Sequence, residues 1–219
     1  MIKQYPLGRL PAKDDRDLKF QLKTITKIPV SGIIPVSKTW VPGPVLDQGD
    51  RPYCVGYAWR QFLTSSPIRT KDRQSADIIY HTAQTMDEWP GTNYDGTSVR
   101  GGAKAVQSFG RLSAYHWSTN ILDVKNFILT TGPVVMGTNW YNQMFEPTKT
   151  GYVKIDGSIA GGHAWLIIGY SNSKKAFRAI NSWGISWGQK GRFWIKEIDL
   201  ERLINEDGEA CAAIEQKLI

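Results

Sequence analysis

The sequence predicts an α+β protein built as two lobes. Apolar residues at helical spacing crowd into residues 54–110. Strand-like apolar runs separated by turn residues fill 134–196, and a proline-rich basic stretch precedes both. At 219 residues with 41% hydrophobic content, the chain can bury a sizeable core without disulfide staples. Its 9 Trp, 21 Gly and 11 Pro, with 21% charged residues, exclude a disordered chain, a coiled coil and a collagen-like repeat. A helical lobe of about 43–111 facing a small antiparallel sheet or barrel of about 112–205 leaves a cleft between them.

Residues 1–42 read as an N-terminal extension to a domain covering 43–219. Prolines at 6, 11, 29, 35 and 42 break any long helix, and Lys23–Ile28 and Gly32–Val36 are short enough and β-branched enough to be strands. From Cys54, the residues Val55, Ala58, Trp59, Phe62 and Leu63 form one apolar stripe of a helix that Ser65, Ser66 and Pro67 end. Ser75 caps a second helix carrying Ala76, Ile79, Tyr80 and Ala83. After a polar loop over 87–96, Ser98 caps a third, with Val99, Gly102, Ala103 and Val106, which stops at Gly110. Asp123 is placed as the cap of a short helix with Val124, Phe127 and Ile128, ended by Gly132-Pro133. Strands are expected at 134–138, 163–170, 176–181 and 192–196, separated by turns at Asn172-Ser173 and 188–191.

The net charge of +7 is uneven. Residues 1–40 hold 8 Lys/Arg against 3 Asp, and the rest is close to neutral. The basic segment lacks interleaved aromatics and a phosphate loop, so no nucleic-acid partner is expected. The longest apolar run, Ala164–Ile168, is far too short to span a bilayer. The first ten residues show no apolar signal core, and Cys54 and Cys211 cannot form a disulfide framework, so a cytoplasmic or other reducing compartment is expected.

Three places carry chemistry. Cys54 falls in the first turn of a helix, where unpaired N–H groups favour thiolate over thiol, and the Gln48-Gly49 loop upstream can bring an amide donor beside it. Read alone, it is a buried structural cysteine. Of three histidines, His81 and His116 sit among surface or packing residues. His163 opens an apolar strand after Gly161-Gly162, which allow close approach of a backbone. Asn181-Ser182-Trp183-Gly184 ends a strand; alone, it is a turn with a core tryptophan. Scattered histidines and two distant cysteines argue against a metal site, and no cofactor motif is present.

Taken together, Gln48-Gly49 with Cys54 six positions after Gln48, Gly161-Gly162-His163-Ala164, and Asn181-Ser182-Trp183-Gly184 followed by Trp187-Gly188 resemble the papain-like (C1) cysteine peptidases over roughly residues 43–200. The stretch Gly8-Arg9-Leu10-Pro11 with Arg16-Asp17 resembles the leader of bacterial-type members without a large helical propeptide, and implies a bacterial or phage source. The resemblance implies a two-lobed fold with the site in the cleft. It implies a Cys54–His163 thiolate–imidazolium pair, Asn181 orienting the imidazole, Trp183 shielding that bond, and Gln48 with the Cys54 N–H binding an oxyanion. Asp95-Gly96-Thr97-Ser98 resembles the family's substrate wall, so Gly96, Thr97, Ser98, Gly161 and Gly162 are expected to line the substrate path. Glu215 and Gln216 are aligned with the floor of the main specificity pocket.

Three departures stand out. Arg51 occupies the position of a usual half-cystine, Val55 replaces an aromatic residue, and 109 positions separate Cys54 from His163, against about 130 or more in secreted members. The implied activity is hydrolysis of peptides or proteins by Cys-His-Asn catalysis. An amidase or peptide ligase using the same residues, or an inactive papain-like binding protein, are the alternatives. Residues 1–42 either cover part of the cleft or pair as an edge strand on the second lobe.

Overall fold

The structure, a computed structural model, describes residues 3–70 and 74–213. Five α-helices stand in chain order: α1 (Cys54–Thr64), α2 (Ala76–Gln84), α3 (Val99–Ser108), α4 (Ile121–Thr130) and α5 (Glu197–Glu206). Seven strands, β1 (Lys38–Thr39), β2 (His116–Ser118), β3 (Val134–Tyr141), β4 (Ile159–Ser171), β5 (Ala176–Ile180), β6 (Arg192–Lys196) and β7 (Glu209–Ala212), make one antiparallel sheet in the order β2-β7-β3-β4-β5-β6, with β1 on β4. The α+β class is as the patterning predicts, with three helices before β2 and most strands after it, although α4 and α5 fall among those strands. The strand order is an open path. No helix among the described residues is long and apolar enough to cross a membrane.

The first helix is more than an amphipathic stripe. Cys54, Val55, Gly56, Tyr57, Ala58, Trp59, Gln61, Phe62 and Leu63 are all buried. The reason is its position between α2 and α3 on one side and β3 and β4 on the other. Ser75 and Ser98 cap α2 and α3 by accepting the N–H of Ile78 and Gly101. The fourth helix begins earlier than Asp123 suggests, because Asn120 accepts the Leu122 N–H and caps it.

The strand β4 is the spine of the sheet. It pairs with β3 from Val134↔Ile167 to Tyr141↔Ile159 and with β5 from Leu166↔Ile180 to Ser171↔Ala176. It begins at Ile159, so His163 lies well inside it rather than at its start. Beyond the reach of the sequence patterns are β1, β2, α5 and β7. Four-residue β7 pairs with both β2 and β3 and brings Glu209 opposite Gly137.

Tyr5, Leu7, Leu22 and Ile25 of the N-terminal stretch pack on the body of the protein, whereas Ile28, Val30, Ile33 and Val36 stand exposed. Lys23–Ile28 and Gly32–Val36 are not strands: Leu22–Ile25 is a 3-10 turn whose Leu22 is fully buried in the core. The edge-strand role falls instead to Lys38–Thr39, paired with Gly169 and Tyr170 of β4. Trp40 Nε1 donates to the Ile128 carbonyl at 2.8 Å and ties this segment to α4. Leu22→Ala should therefore destabilise the whole protein by about 2–5 kcal/mol, as a core cavity does, read by urea denaturation. A change below about 0.5 kcal/mol would mean that the leader is not part of the folded unit.

Candidate active site

Cys54 opens α1 with no side-chain cap on its N-terminus, since Tyr53 makes no capping hydrogen bond. No capping side chain therefore occupies the N–H groups of the first turn. The sulfur lies at the seam with β4, where the Ala164 N–H donates to Cys54 Sγ at 3.4 Å. His163 is the preceding residue, so helix and strand place the two within one residue of a direct contact across 109 positions of chain.

The imidazole is held from behind. His163 Nε2 lies 2.7 Å from Asn181 Oδ1. That oxygen also accepts the Ser182 N–H at 2.8 Å, which fixes the amide with its oxygen toward the ring. Nε2 must then carry the proton, and Nδ1, buried and with no hydrogen-bond partner, is left as a base. Two tryptophans enclose the ring. Trp183 stacks on it at 4.6 Å and 24°, and Trp140 meets it edge-on at 4.8 Å and 73°. Gln61 fixes the Asn181 backbone from α1, donating to its carbonyl at 3.0 Å.

Gln48 is oriented by Ser182, whose Oγ donates to Gln48 Oε1 at 2.6 Å. That leaves the Gln48 NH2 group for the Arg51 carbonyl at 2.7 Å and the Pro6 carbonyl at 3.2 Å. Arg51, in the expected half-cystine position, joins the loop before α1 to α2 through Asp77 and donates to Tyr57 Oη at 2.8 Å. Both Cys54 and Cys211 are free and buried.

The cleft is occupied by the chain's own N-terminal segment. Gly8 and Arg9 donate their N–H groups to the Gly162 carbonyl at 3.1 and 3.0 Å. On the other wall, the Thr97 N–H donates to Gly8 and the Leu10 N–H to the Thr97 carbonyl, at 2.9 and 3.0 Å. Tyr5 stacks on Trp183 at 4.7 Å. A Cβ on Gly162 would lie 2.1 Å from the Arg9 carbonyl, so only glycine admits this strap. Of the expected wall residues, Gly96, Thr97, Gly161 and Gly162 face it. The Ser98 hydroxyl caps α3 and donates to Glu88 at 2.6 Å, turned to its own helix. Glu215 and Gln216 lie outside the described residues. Sequence reading missed Trp140 and Gln61, whose roles show no spacing signal. It also missed the roles of Ser182 and Arg9, which are quoted above only as parts of motifs.

Under the strap, Cys54 and His163 are both fully buried. Burial pushes the Cys54 thiol up to about 12, against the pull of the Ala164 N–H. The same desolvation brings His163 down to about 4, opposed by its bond to Asn181. Both groups are therefore neutral at pH 7 with the cleft covered.

The family profile described as papain family cysteine protease matches residues 56–211. Cathepsin B-like cysteine proteinase 3 of Ostertagia ostertagi is 38% identical over 101 residues, covering 43% of this chain and 57% of that protein. Cathepsin B-like cysteine proteinase 5 of Caenorhabditis elegans is 33% identical over 85 residues, covering 38% and 25%. A peptidase C1-like protein of Acanthamoeba polyphaga mimivirus is 24% identical over 195 residues, covering 68% and 62%. The chain thus spans less than two thirds of the length of these curated relatives. Among solved structures, xylellain, a cysteine protease from Xylella fastidiosa, superposes with a TM-score of 0.70 at 20% identity, covering 98% of this chain and 100% of that one. At that identity the likeness shows the fold.

A thiol held above its ordinary value has less thiolate at pH 7 than a free cysteine. Iodoacetamide should therefore alkylate Cys54 of the intact chain at least about tenfold more slowly than a model thiol at pH 7. The rate should still be climbing at pH 10. Peptide mapping of the labelled protein checks this, and fast labelling at neutral pH would contradict a covered, neutral thiol.

Proposed function

The chain belongs to the papain family of cysteine proteases, and on that premise we propose that it hydrolyses peptide bonds with Cys54 as nucleophile and His163 as base and acid. The observation that carries this reading is the oriented imidazole: Nε2 bonded to Asn181 Oδ1 at 2.7 Å, Nδ1 unpartnered, and the Cys54 sulfur beside the next residue of the strand. His163 Nδ1 takes the thiol proton. The thiolate adds to the substrate carbonyl carbon, and the resulting oxyanion is met by Gln48 Nε2 and the Cys54 N–H. Each such donor is worth roughly 3–4 kcal/mol because it is aimed before charge develops. As the tetrahedral adduct collapses, the C–N bond breaks and His163 returns the proton to the leaving amine. Water, deprotonated by His163, then attacks the acyl thioester and frees Cys54. Asn181 keeps the ring in the tautomer that both steps need, while Trp183 and Trp140 keep water from competing for that bond. Substrates are peptides or proteins laid along Gly96, Thr97, Gly161 and Gly162.

Residues 6–10 act in this reading as a strap that keeps the cleft closed. The Pro6 carbonyl engages the Gln48 amide, so the donor meant for an oxyanion is occupied. Opening the strap rehydrates Cys54 and His163, and their neutral states give way to the ion pair.

Cys54→Ala and His163→Ala should abolish hydrolysis of an internally quenched peptide library. Gln48→Ala should lower kcat by about 10²–10³. Near-normal turnover by Cys54→Ala would remove the assignment. Gly8 offers a separate lever on the strap. A Cβ there would sit 2.0 Å from the Pro52 backbone oxygen, a contact that nothing flexible can relieve. Gly8→Ala should lift the strap and raise both kcat/KM and the rate of Cys54 alkylation. Unchanged rates would mean that residues 6–10 do not limit access.

A further inference from the structure

The strap carries one charge into the cleft. The Arg9 side chain is 1% exposed. Its Nε donates to Glu209 Oε1 at 3.1 Å, its Nη2 to the Asp207 backbone carbonyl at 2.7 Å, and its Nη1 reaches Asp207 Oδ2 at 3.5 Å. Asp207 caps the end of α5 and Glu209 opens β7, both on the body of the protein. Opposite Glu209 in the β3–β7 register stands Gly137. A Cβ there would lie 2.7 Å from Val99 Cγ2, 2.9 Å from Glu209 Oε1 and 3.0 Å from Arg9 Nε. Glycine at this point of a buried strand keeps open the space that Arg9 fills.

We infer that this space is a substrate side-chain pocket selective for a basic residue, arginine above lysine, and that Arg9 fills it as a stand-in for substrate. The inference rests on the peptidase reading only in requiring that the cleft hold a peptide. Three observations separate a substrate pocket from a mere anchor for the strap. The backbone around Arg9 is gripped by Gly162 and Thr97, and Gly162 adjoins His163, so a peptide lying over Cys54 meets the same groups. The acids come from the protein body and remain when the strap leaves. Burial pushes the Glu209 carboxyl up to about 7, and Arg9 is the chief influence opposing that rise, so the carboxylate depends on a cation facing it. An apolar side chain entering the pocket would leave Glu209 desolvated and unpaired. A guanidinium restores the forked contact with Glu209 and Asp207, which an ammonium meets only in part.

The test empties the pocket and stops turnover in the full chain, using Cys54→Ala combined with Arg9→Ala. Arg9→Met, which keeps the bulk of the stem, serves as a second background should the first not melt cooperatively. Labelled hexapeptides with arginine, lysine or norleucine scanned through each position are compared by fluorescence anisotropy. At one position arginine should bind at least about tenfold tighter than norleucine, with lysine between, and Glu209→Gln should shrink the difference to less than about threefold. Equal binding at every position, a norleucine preference, or an arginine preference unchanged by Glu209→Gln would overturn the inference. Hydrolysis of the same peptides by the chain with Cys54 intact is read separately. Preference without cleavage leaves the pocket and removes the peptidase reading, and cleavage without preference does the reverse.

Discussion

The first turn of α1 meets β4 where the Ala164 N–H points at Cys54 Sγ, and the other parts of the cleft take their positions from that seam. The helix is gripped on nearly every side, with Trp59, Phe62 and Leu63 essentially without exposure, so a shift along its axis would open several core contacts at once. The strand is equally fixed, by β3 on one edge and β5 on the other. Its register with β5, Leu166 against Ile180, puts Asn181 one residue beyond the last pair and diagonal to His163. Packing sets the thiol and sheet register sets the imidazole and its amide. A one-residue slip in the register would turn His163 to the other face of the sheet.

Desolvation decides the charge state of that pair. A thiol near 12 and an imidazole near 4 cannot exchange a proton to form ions at neutral pH, although the helix N-terminus favours thiolate. The dipole contributes about 0.3–1 kcal/mol, whereas moving a pKa by one unit takes about 1.4 kcal/mol, so burial wins while the cleft is covered. Closure by residues 6–10, in the reading proposed above, is closely balanced. Backbone hydrogen bonds contribute roughly 0.5–1.5 kcal/mol each, and ordering each residue costs about 1–2 kcal/mol. Contacts such as Tyr5 on Trp183 tilt the balance toward closure. The buried Arg9 pair adds register more than net stability, because the Coulomb gain is largely offset by desolvation.

Short-range information was enough for much of this architecture. Helix-period patterns and Ser caps at 75 and 98 name α2 and α3, and the three motif blocks around Cys54, His163 and Asn181 point to the residues that the fold brings together. Where local signals competed, tertiary contacts decided. Asn120, with Asp123 three positions on, was the better cap. The β-branched run after Leu22 became a turn, because a single buried leucine held it against the core.

Length and spacing in the sequence determined the fold class, the cysteine at a helix start and the order of the candidate catalytic residues, since each of these is a property of neighbours along the chain. Only the tertiary structure decided that Ser182 orients Gln48, that Trp140 closes over the imidazole, and that Arg9 lies against Glu209, two hundred positions away. Such pairings carry no period. They arise when burial brings polar groups out of water and each must find a partner within about 3 Å, whatever its place in the chain.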